Sequence, residues 1–311
     1  MEGNNEYYSN LILILRSFIL LSRLPFHSVG VLPFVLGTVL AMHDGYELRT
    51  AILFFGILGT VFIMLATYLS GEYYDKDEDT ETGHIGKSRF SGGSQVIQQG
   101  QIAAWKVLIA GVISLIIAAG IGLFIWLGLG TGPLTLPLGI LGMIGGFLYS
   151  AKPVRWVSRG LGELWIACCY GWLPVAAAYY LQAGNIPLSV SLISVPVSFS
   201  IVAVILINEF ADYEADKKWG KRNLLVLIGY ENGAALYMGL VLASVISSGL
   251  LAAWFSAPMF VQAPVILLGI VLCACMKRRY WMDHNRREWI CGGTILLNLS
   301  ISGAWIISLV W

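Results

Sequence analysis

Nine apolar runs, each about as long as a membrane-spanning helix, divide this 311-residue chain from end to end. A helix needs roughly 20 apolar residues to cross the hydrocarbon layer of a bilayer. Charged residues make up only 12% of the chain, about half their usual share in a soluble domain. We therefore predict an all-α integral membrane protein, one transmembrane domain over residues 1–311. Its spans are predicted at residues 20–42, 51–71, 105–128, 133–150, 161–182, 187–208, 234–256, 259–276 and 289–310.

The connections between these runs differ sharply in charge. Of the 19 Lys and Arg residues, 18 lie at the start of the chain or in the connections after the second, fourth, sixth and eighth runs, and Arg49 alone lies opposite. Cytoplasmic loops of membrane proteins carry such an excess of Lys and Arg. We therefore predict a multi-pass protein of the cell inner membrane, with its amino terminus and charged loops in the cytoplasm. We expect membrane lipid around it and no nucleic-acid partner.

Two acidic segments with the same spacing stand at the predicted cytoplasmic ends of the second and sixth runs, within residues 71–79 and 208–216. Residues four apart on a helix share a face, so the carboxylates of each segment can point the same way. Carboxylates beside a bilayer are costly and mark functional sites by default. Oxygen ligands suit Mg²⁺, which commonly bridges a few carboxylates and the phosphates of a substrate. The candidate metal ligands are Asp75, Asp79, Asn208, Asp212 and Asp216.

Basic residues accompany both segments on the same predicted side of the membrane. Arg89 and Lys152 follow the second and fourth runs, and Lys221 and Arg222 follow the second acidic segment. Arg is suited to a bidentate grip on phosphate. A bound metal ion would reverse the local negative charge, and these cations could then complete a diphosphate receptor. The alternative for each cation is that it only fixes the topology.

Segments from Arg23 to Gly229 resemble, in order, the UbiA superfamily of intramembrane prenyltransferases. The resemblance is closest to the 1,4-dihydroxy-2-naphthoate polyprenyltransferase branch. Gly71 stands where this family usually has Asn, so only the second motif is complete, and Ser70 or Glu72 is a candidate for the missing oxygen. The segments that carry the resemblance are residues 23–25, 32–37, 73–79, 89–94, 149–153, 159–163, 208–222 and 227–229.

The resemblance implies about nine helices in a ring around a central cavity, open to the cytoplasmic side and laterally to lipid. It implies that the two acidic motifs hold Mg²⁺ and the diphosphate of a polyprenyl donor. The residues that it assigns to the diphosphate are Arg23, Arg89 and Lys152, with Lys221 and Arg222 as further candidates. Tyr149 could shield a carbocation, and Glu72 and Glu163 are candidates for substrate contacts. An interfacial tyrosine and a helix-start acid are the alternatives for Tyr149 and Glu163.

The leading hypothesis is therefore Mg²⁺-dependent transfer of a polyprenyl group from polyprenyl diphosphate to a small aromatic acceptor in lipoquinone synthesis. The donor ionises to an allylic carbocation, which the acceptor captures. Two alternatives keep the same family: a prenyltransferase acting on a glycerol-phosphate lipid, and an intramembrane terpene cyclase. A cation transporter is a more distant alternative, because it predicts polar residues at the middle of spans, whereas here they gather at one end.

Overall fold

The computed structural model describes residue 13, residues 15–86 and residues 88–311, without the side chains of residues 84–86. The predicted orientation of the amino terminus and the basic residue Lys87 therefore lie outside the described residues. Within the described ranges the chain is helical, with short 3₁₀ turns between helices. The helices are α1 (Leu15–His43), α2 (Thr50–Tyr74), α3 (Lys76–Gly86), α4 (Ala104–Gly128), α5 (Thr135–Ser150), α6 (Gly162–Ala183), α7 (Leu188–Lys218), α8 (Leu224–Trp254), α9 (Met259–Lys277) and α10 (His284–Val310). Helix α1 is interrupted at Arg23, whose backbone is left-handed, and by a 3₁₀ turn at Leu24–His27.

Eight of these helices are long and apolar enough to cross a membrane: all except α3 and α5. The fourth predicted span is the short helix α5, whose 16 residues extend about 24 Å, less than the roughly 30 Å of a bilayer core. Helix α7 runs ten residues past its predicted end at residue 208 and carries the second acidic segment within one continuous helix. Helix α8 begins ten residues before its predicted start and is kinked at Gly229.

The connections that were predicted to share one side of the membrane meet at one end of the helix bundle. Lys218 Nζ lies 2.8 Å from Glu81 Oε1, and the Ser88 hydroxyl donates to Glu288 at 2.5 Å. At the other end, the Tyr179 hydroxyl donates to Asp44 at 2.7 Å. This separation agrees with the charge asymmetry of the sequence. Which end faces the cytoplasm stays a prediction.

Helix packing surrounds a space at the centre of the bundle. Helix α1 packs against α6 and α10, α2 packs against α4 and α5, and α7 packs against α8 and α10. The large side chains of Phe210, Tyr237 and Trp305 are fully buried between α7, α8 and α10. Aliphatic and aromatic burial of this kind fixes the relative positions of helices. The acidic end of α7 is thereby held facing the ends of α2 and α5.

Candidate functional site

A polar cavity of about 210 Å³ lies at the charged end of the bundle, between α1, α2, α3, α5, α6 and α7. It brings together nine of the thirteen residues that the sequence pointed to, although they are up to 198 positions apart in the chain. These nine are Arg23, Glu72, Asp75, Asp79, Tyr149, Asn208, Asp212, Asp216 and Lys221.

The first acidic segment departs from the single helix that we predicted. Helix α2 ends at Tyr74, Asp75 takes φ −100° and ψ 8°, and α3 begins at Lys76. The Asp75 carboxylate accepts hydrogen bonds from the Ser150 hydroxyl at 2.7 Å and from Arg155 at 3.1 Å. These contacts hold Asp75 at the break between the helices. The Asp79 N–H still donates to the Asp75 carbonyl at 2.9 Å, so the two carboxylates stay on one side of the bend.

The second acidic segment keeps its helical spacing within α7. Asp216 accepts a hydrogen bond from the Asn223 amide at 2.7 Å and lies 3.2 Å from Lys221 Nζ. One turn earlier, Asp212 Oδ1 is buried and accepts no hydrogen bond from a described residue, and the same holds for Asn208 Oδ1. A buried oxygen without a donor is costly. Asn208 and Asp212 therefore present oxygens into the cavity that a ligand would satisfy.

Two cations tie the acidic segments to each other through Glu78. Arg155 pairs with both Asp75 and Glu78, and Lys221 Nζ lies 3.6 Å from Glu78 and 3.2 Å from Asp216. Burial alone would lower the pKa of Lys221, but Asp216, Asp75 and Glu78 outweigh it and hold that pKa well above its usual range. Lys221 therefore stays protonated, and it closes the cavity from the α7–α8 connection.

The sequence reasoning missed Arg155 and Glu78. Arg155 adopts φ 49°, a left-handed backbone that is uncommon outside glycine and is kept where surrounding contacts enforce it. It lies three residues beyond Lys152, which we had preferred. Charge alone could not separate the two, because only the turn of the chain after α5 decides which cation pairs with the carboxylates of the site.

A glycine loop covers the inner carboxylates. Gly92 and Gly93 have φ of 73° and 67°. A Cβ atom at Gly93 would stand 2.2 Å from Asp79 Oδ2, and one at Gly92 would stand 2.6 Å from Thr82. Only glycine fits this close approach of backbone to carboxylate. The Gly-Gly pair, which was a weak signal in the sequence, is thus required by the geometry of the cavity.

Glu72 connects that loop to Arg23 of α1, where the helix is interrupted. Its carboxylate accepts hydrogen bonds from the Ser94 amide and hydroxyl, each at 2.8 Å, and pairs with Arg23 at 3.1 Å.

The other candidate for the missing Asn oxygen, Ser70, is fully buried, and its hydroxyl donates to the Thr67 carbonyl. A Cβ at Gly71 would instead lie 3.7 Å from the Ser150 hydroxyl. Ser150 therefore lies beside the position that an Asn side chain would occupy.

Four predicted residues lie outside the cavity lining. Glu163 is buried behind it and accepts a hydrogen bond from the Leu224 N–H at 2.8 Å, so it fixes the start of α8. The cations Arg89, Lys152 and Arg222 are exposed on the same end of the protein. Their contact with a diphosphate stays a prediction.

In the lining of the cavity, carboxylates outnumber the cations that could neutralise them. Burial raises the pKa of Asp79 well above its usual range, and the neighbouring Asp75 and Glu72 raise it further. Among the described residues, no three His, Cys, Asp or Glu side chains form a complete metal-ligand cluster. Mg²⁺ usually takes only one or two carboxylates and completes its octahedron with water and substrate phosphate. Two opposed carboxylate sets with buried free oxygens therefore fit Mg²⁺ bound together with a phosphorylated ligand.

A second, apolar cavity of about 340 Å³ lies deeper, between α1, α2, α4, α5 and α6. Its lining includes glycines on α2, α4 and α5, among them Gly59, Gly122 and Gly139. Because these residues have no side chains, they leave open space for an apolar chain. Thr67 and Tyr170 line both cavities. The two cavities therefore meet at these side chains and together fit an amphiphile with a highly charged head and an apolar tail.

Comparisons with known proteins agree on one family. Residues 30–299 match the model of the UbiA prenyltransferase family. The chain is 30% identical over 254 residues to the 1,4-dihydroxy-2-naphthoate octaprenyltransferase of Bacillus subtilis, covering 76% of this chain and 77% of that one. Its fold is similar to the apo structure of a UbiA homolog from Aeropyrum pernix, with a TM-score of 0.67 and 15% identity over 90% of this chain and 97% of that one. It is also similar to a UbiA homolog from Archaeoglobus fulgidus bound to GPP and Mg²⁺, with a TM-score of 0.60 and 17% identity over 94% and 99%.

Proposed function

Because the chain belongs to the UbiA prenyltransferase family, we propose that it transfers a polyprenyl group from polyprenyl diphosphate to a dihydroxynaphthoate-type aromatic acceptor. The observation that carries the proposal is the junction of a carboxylate- and cation-lined cavity with an apolar cavity of about 340 Å³. A polyprenyl diphosphate has a charged head and an apolar tail, so its diphosphate would lie in the polar cavity and its polyprenyl chain in the apolar cavity.

Residues of the polar cavity would bind the diphosphate from several sides. Asp79, Asn208 and Asp212 would hold Mg²⁺, which when bound neutralises charge on the departing diphosphate. Arg155 and Lys221 are half-buried and pair with the neighbouring carboxylates of Asp75 and Asp216, where charge-assisted hydrogen bonds to phosphate are strong. Arg23, fixed by Glu72 at 3.1 Å, would reach the same group from α1. Cations placed where negative charge develops stabilise the transition state for C–O cleavage.

The acceptor assignment rests on the named relative from Bacillus subtilis and on space beside the diphosphate site. Tyr149 lines the polar cavity from the end of α5, where it would contact a flat aromatic acceptor. We place the open end of this cavity on the cytoplasmic side, since 18 of the 19 Lys and Arg residues lie on that side and such residues favour the cytoplasm.

Product formation with a panel of acceptors tests this proposal. Purified protein would receive geranylgeranyl diphosphate, Mg²⁺ and one of dihydroxynaphthoate, 4-hydroxybenzoate, homogentisate, glycerol phosphate or no acceptor. We expect prenylated naphthoate in the first reaction, and none after EDTA is added. Prenylated glycerol phosphate, or a cyclic hydrocarbon without acceptor, would replace the proposal by one of the two family alternatives. Absence of turnover with every acceptor would contradict prenyl transfer.

The apolar cavity predicts that a substitution in its lining changes which donor chain lengths the enzyme prefers. Gly139 lines the apolar cavity, and no heavy atom lies within 4 Å of a Cβ built there, so a larger side chain has room to occupy the cavity. We expect Gly139→Phe to lower kcat/KM for long donors about tenfold relative to geranyl diphosphate, since pocket fit of an apolar chain discriminates to about this extent. The matched control is Gly249→Phe, which is equally unobstructed and lies on α8 outside both cavities. An equal loss for short and long donors in Gly139→Phe would contradict this placement of the tail.

A further inference from the structure

Helix α6 is interrupted by a π-helical turn from Ala167 to Trp172, at the depth where the two cavities meet. Pro174 lies two residues after the last residue of this turn. Proline has no N–H to donate to the carbonyl four residues earlier, here that of Tyr170, so the local helix widens. Single π-helical turns inside α-helices occur often at functional sites. The consequence here is that Tyr170 projects into the space between the polar and apolar cavities.

A second tyrosine faces it from α2. Tyr68 and Tyr170 both line the polar cavity, and both pack against the same buried apolar cluster, which includes Val29. The Tyr68 ring is packed edge-on against His27 of α1, with 5.4 Å between ring centres. Thr67, the neighbour of Tyr68, lines both cavities. Thr67 and Tyr170 thus lie at the boundary between the two cavities, and Tyr68 lies on the polar side of that boundary. We call these three side chains the collar.

The position of the collar determines which atom of the donor it contacts. The diphosphate belongs to the carboxylate-lined side and the tail to the apolar side, so the first carbon of the chain, C1, lies at the boundary. We propose that Tyr68 and Tyr170 are catalytic residues that flank C1, stabilise the allylic carbocation with their ring faces and keep water away from it. The inference rests on the proposed prenyl transfer and extends it to two residues that neither the motifs nor the acidic segments indicate.

Prenyl transfer at the collar needs no reactant besides the donor and the acceptor. The C1–O bond breaks with both electrons leaving on the diphosphate, which leaves an allylic cation beside the tyrosine rings. A ring carbon of the acceptor then forms the new C–C bond with an electron pair of its π system. The ring recovers its aromaticity when the bond from that carbon to its substituent returns its electron pair to the ring: a hydrogen leaves as a proton that passes to diphosphate or water, and a carboxylate leaves as CO₂. If water reaches C1 first, it forms a C–O bond, loses a proton and gives the prenyl alcohol.

An aromatic face attracts positive charge, most strongly where water is excluded. The rings, rather than the hydroxyl groups, should therefore carry the effect. In Tyr170→Phe the ring remains, and we expect diphosphate release within about threefold of the unmodified protein. In Tyr170→Leu the ring is lost, and we expect diphosphate release to fall roughly 10- to 30-fold. We also expect the share of prenyl alcohol among the products to rise.

The test measures diphosphate release and the ratio of prenylated acceptor to prenyl alcohol in the same reactions, with thermal unfolding recorded for each variant. Trp172→Leu is the matched control, since Trp172 belongs to the same π-helical turn and lines neither cavity. We expect it to keep both the rate and the product ratio. Tyr68→Phe and Tyr68→Leu form a second pair that answers the same question if Tyr170→Leu does not fold.

Equal losses in the Phe and Leu variants would overturn the proposal, because the hydroxyl groups would then be responsible. Leu variants with unchanged rate and product ratio would overturn it as well. A failure of the proposed function has a different signature: the unmodified protein itself would then release no diphosphate with donor, Mg²⁺ and acceptor present.

Discussion

Replacing Asp212 by Asn is expected to lower the rate of prenyl transfer about 10²- to 10³-fold, the usual cost of removing one group that stabilises developing charge. The substitution keeps the shape of the side chain and removes its negative charge. Asp212 Oδ1 is buried and accepts no hydrogen bond from a described residue, so the fold does not depend on that oxygen. The initial rate at saturating donor, followed over a Mg²⁺ titration, measures the effect. We expect the Mg²⁺ concentration for half-maximal rate to rise.

Glu214→Gln is the matched control for this variant. Glu214 lies two residues away on the same helix and is exposed, so its neutralisation should change the rate by less than about twofold, as for surface substitutions generally. Retention of more than half of the activity in Asp212→Asn would contradict the assignment of this carboxylate to the metal. Equal losses of rate in both variants would show that the rate depends on the overall charge of this helix end and not on a specific metal site at Asp212.

Replacing Arg155 by Gln is expected to be almost as damaging, with a rate loss of roughly 10²-fold and a lower unfolding temperature. The variant leaves Asp75 and Glu78 without the guanidinium that now pairs with both. Removing one partner of a partly buried ion pair leaves an uncompensated charge, which destabilises the fold. It also removes a cation that we place against the diphosphate. Steady-state kinetics and thermal unfolding of the purified variant measure the two effects separately.

Arg159→Gln controls for the loss of a positive charge on the same connection. Arg159 is exposed and donates to the Pro153 carbonyl at 2.8 Å, away from the carboxylates. We expect Arg155→Lys, which restores charge but not the forked geometry, to recover only part of the rate. Full activity in Arg155→Gln would show that this residue does not touch the reacting groups.

The transmembrane pattern and the family could be predicted from sequence because both depend on local signals. Apolar length predicted the long helices to within a few residues at most of their ends, and the family resemblance is confirmed. Helix α7 extended further than predicted because Asp212 and Asp216 were taken to follow the span. In the structure they lie on its last turns, where Lys221 and Asn223 supply the charge and hydrogen bonds that burial requires.

The details of the site depended on contacts that sequence spacing does not contain. The break at Asp75 lies where Ser150, at the end of α5, and Arg155, in the connection that follows, contact it from 75 and 80 residues away. Tyr170 enters the cavities because Pro174 widens α6, and a tyrosine within an apolar run gave no signal in the sequence. Glu72 was considered a source of metal-binding oxygen, but its hydrogen bonds to Ser94 and Arg23 favour a role in positioning the loop and the cation.

The central claim is that the two cavities are the two halves of one donor site. A structure of the protein with Mg²⁺ and a thiolodiphosphate analogue of geranylgeranyl diphosphate, whose C–S bond resists ionisation, tests it most directly. The account predicts the diphosphate and Mg²⁺ between Asp79, Asp212 and Arg155, C1 beside Tyr170, and the tail in the apolar cavity towards Gly139. A diphosphate held by the exposed cations Arg89, Lys152 and Arg222, or a tail that leaves the apolar cavity empty, would contradict it.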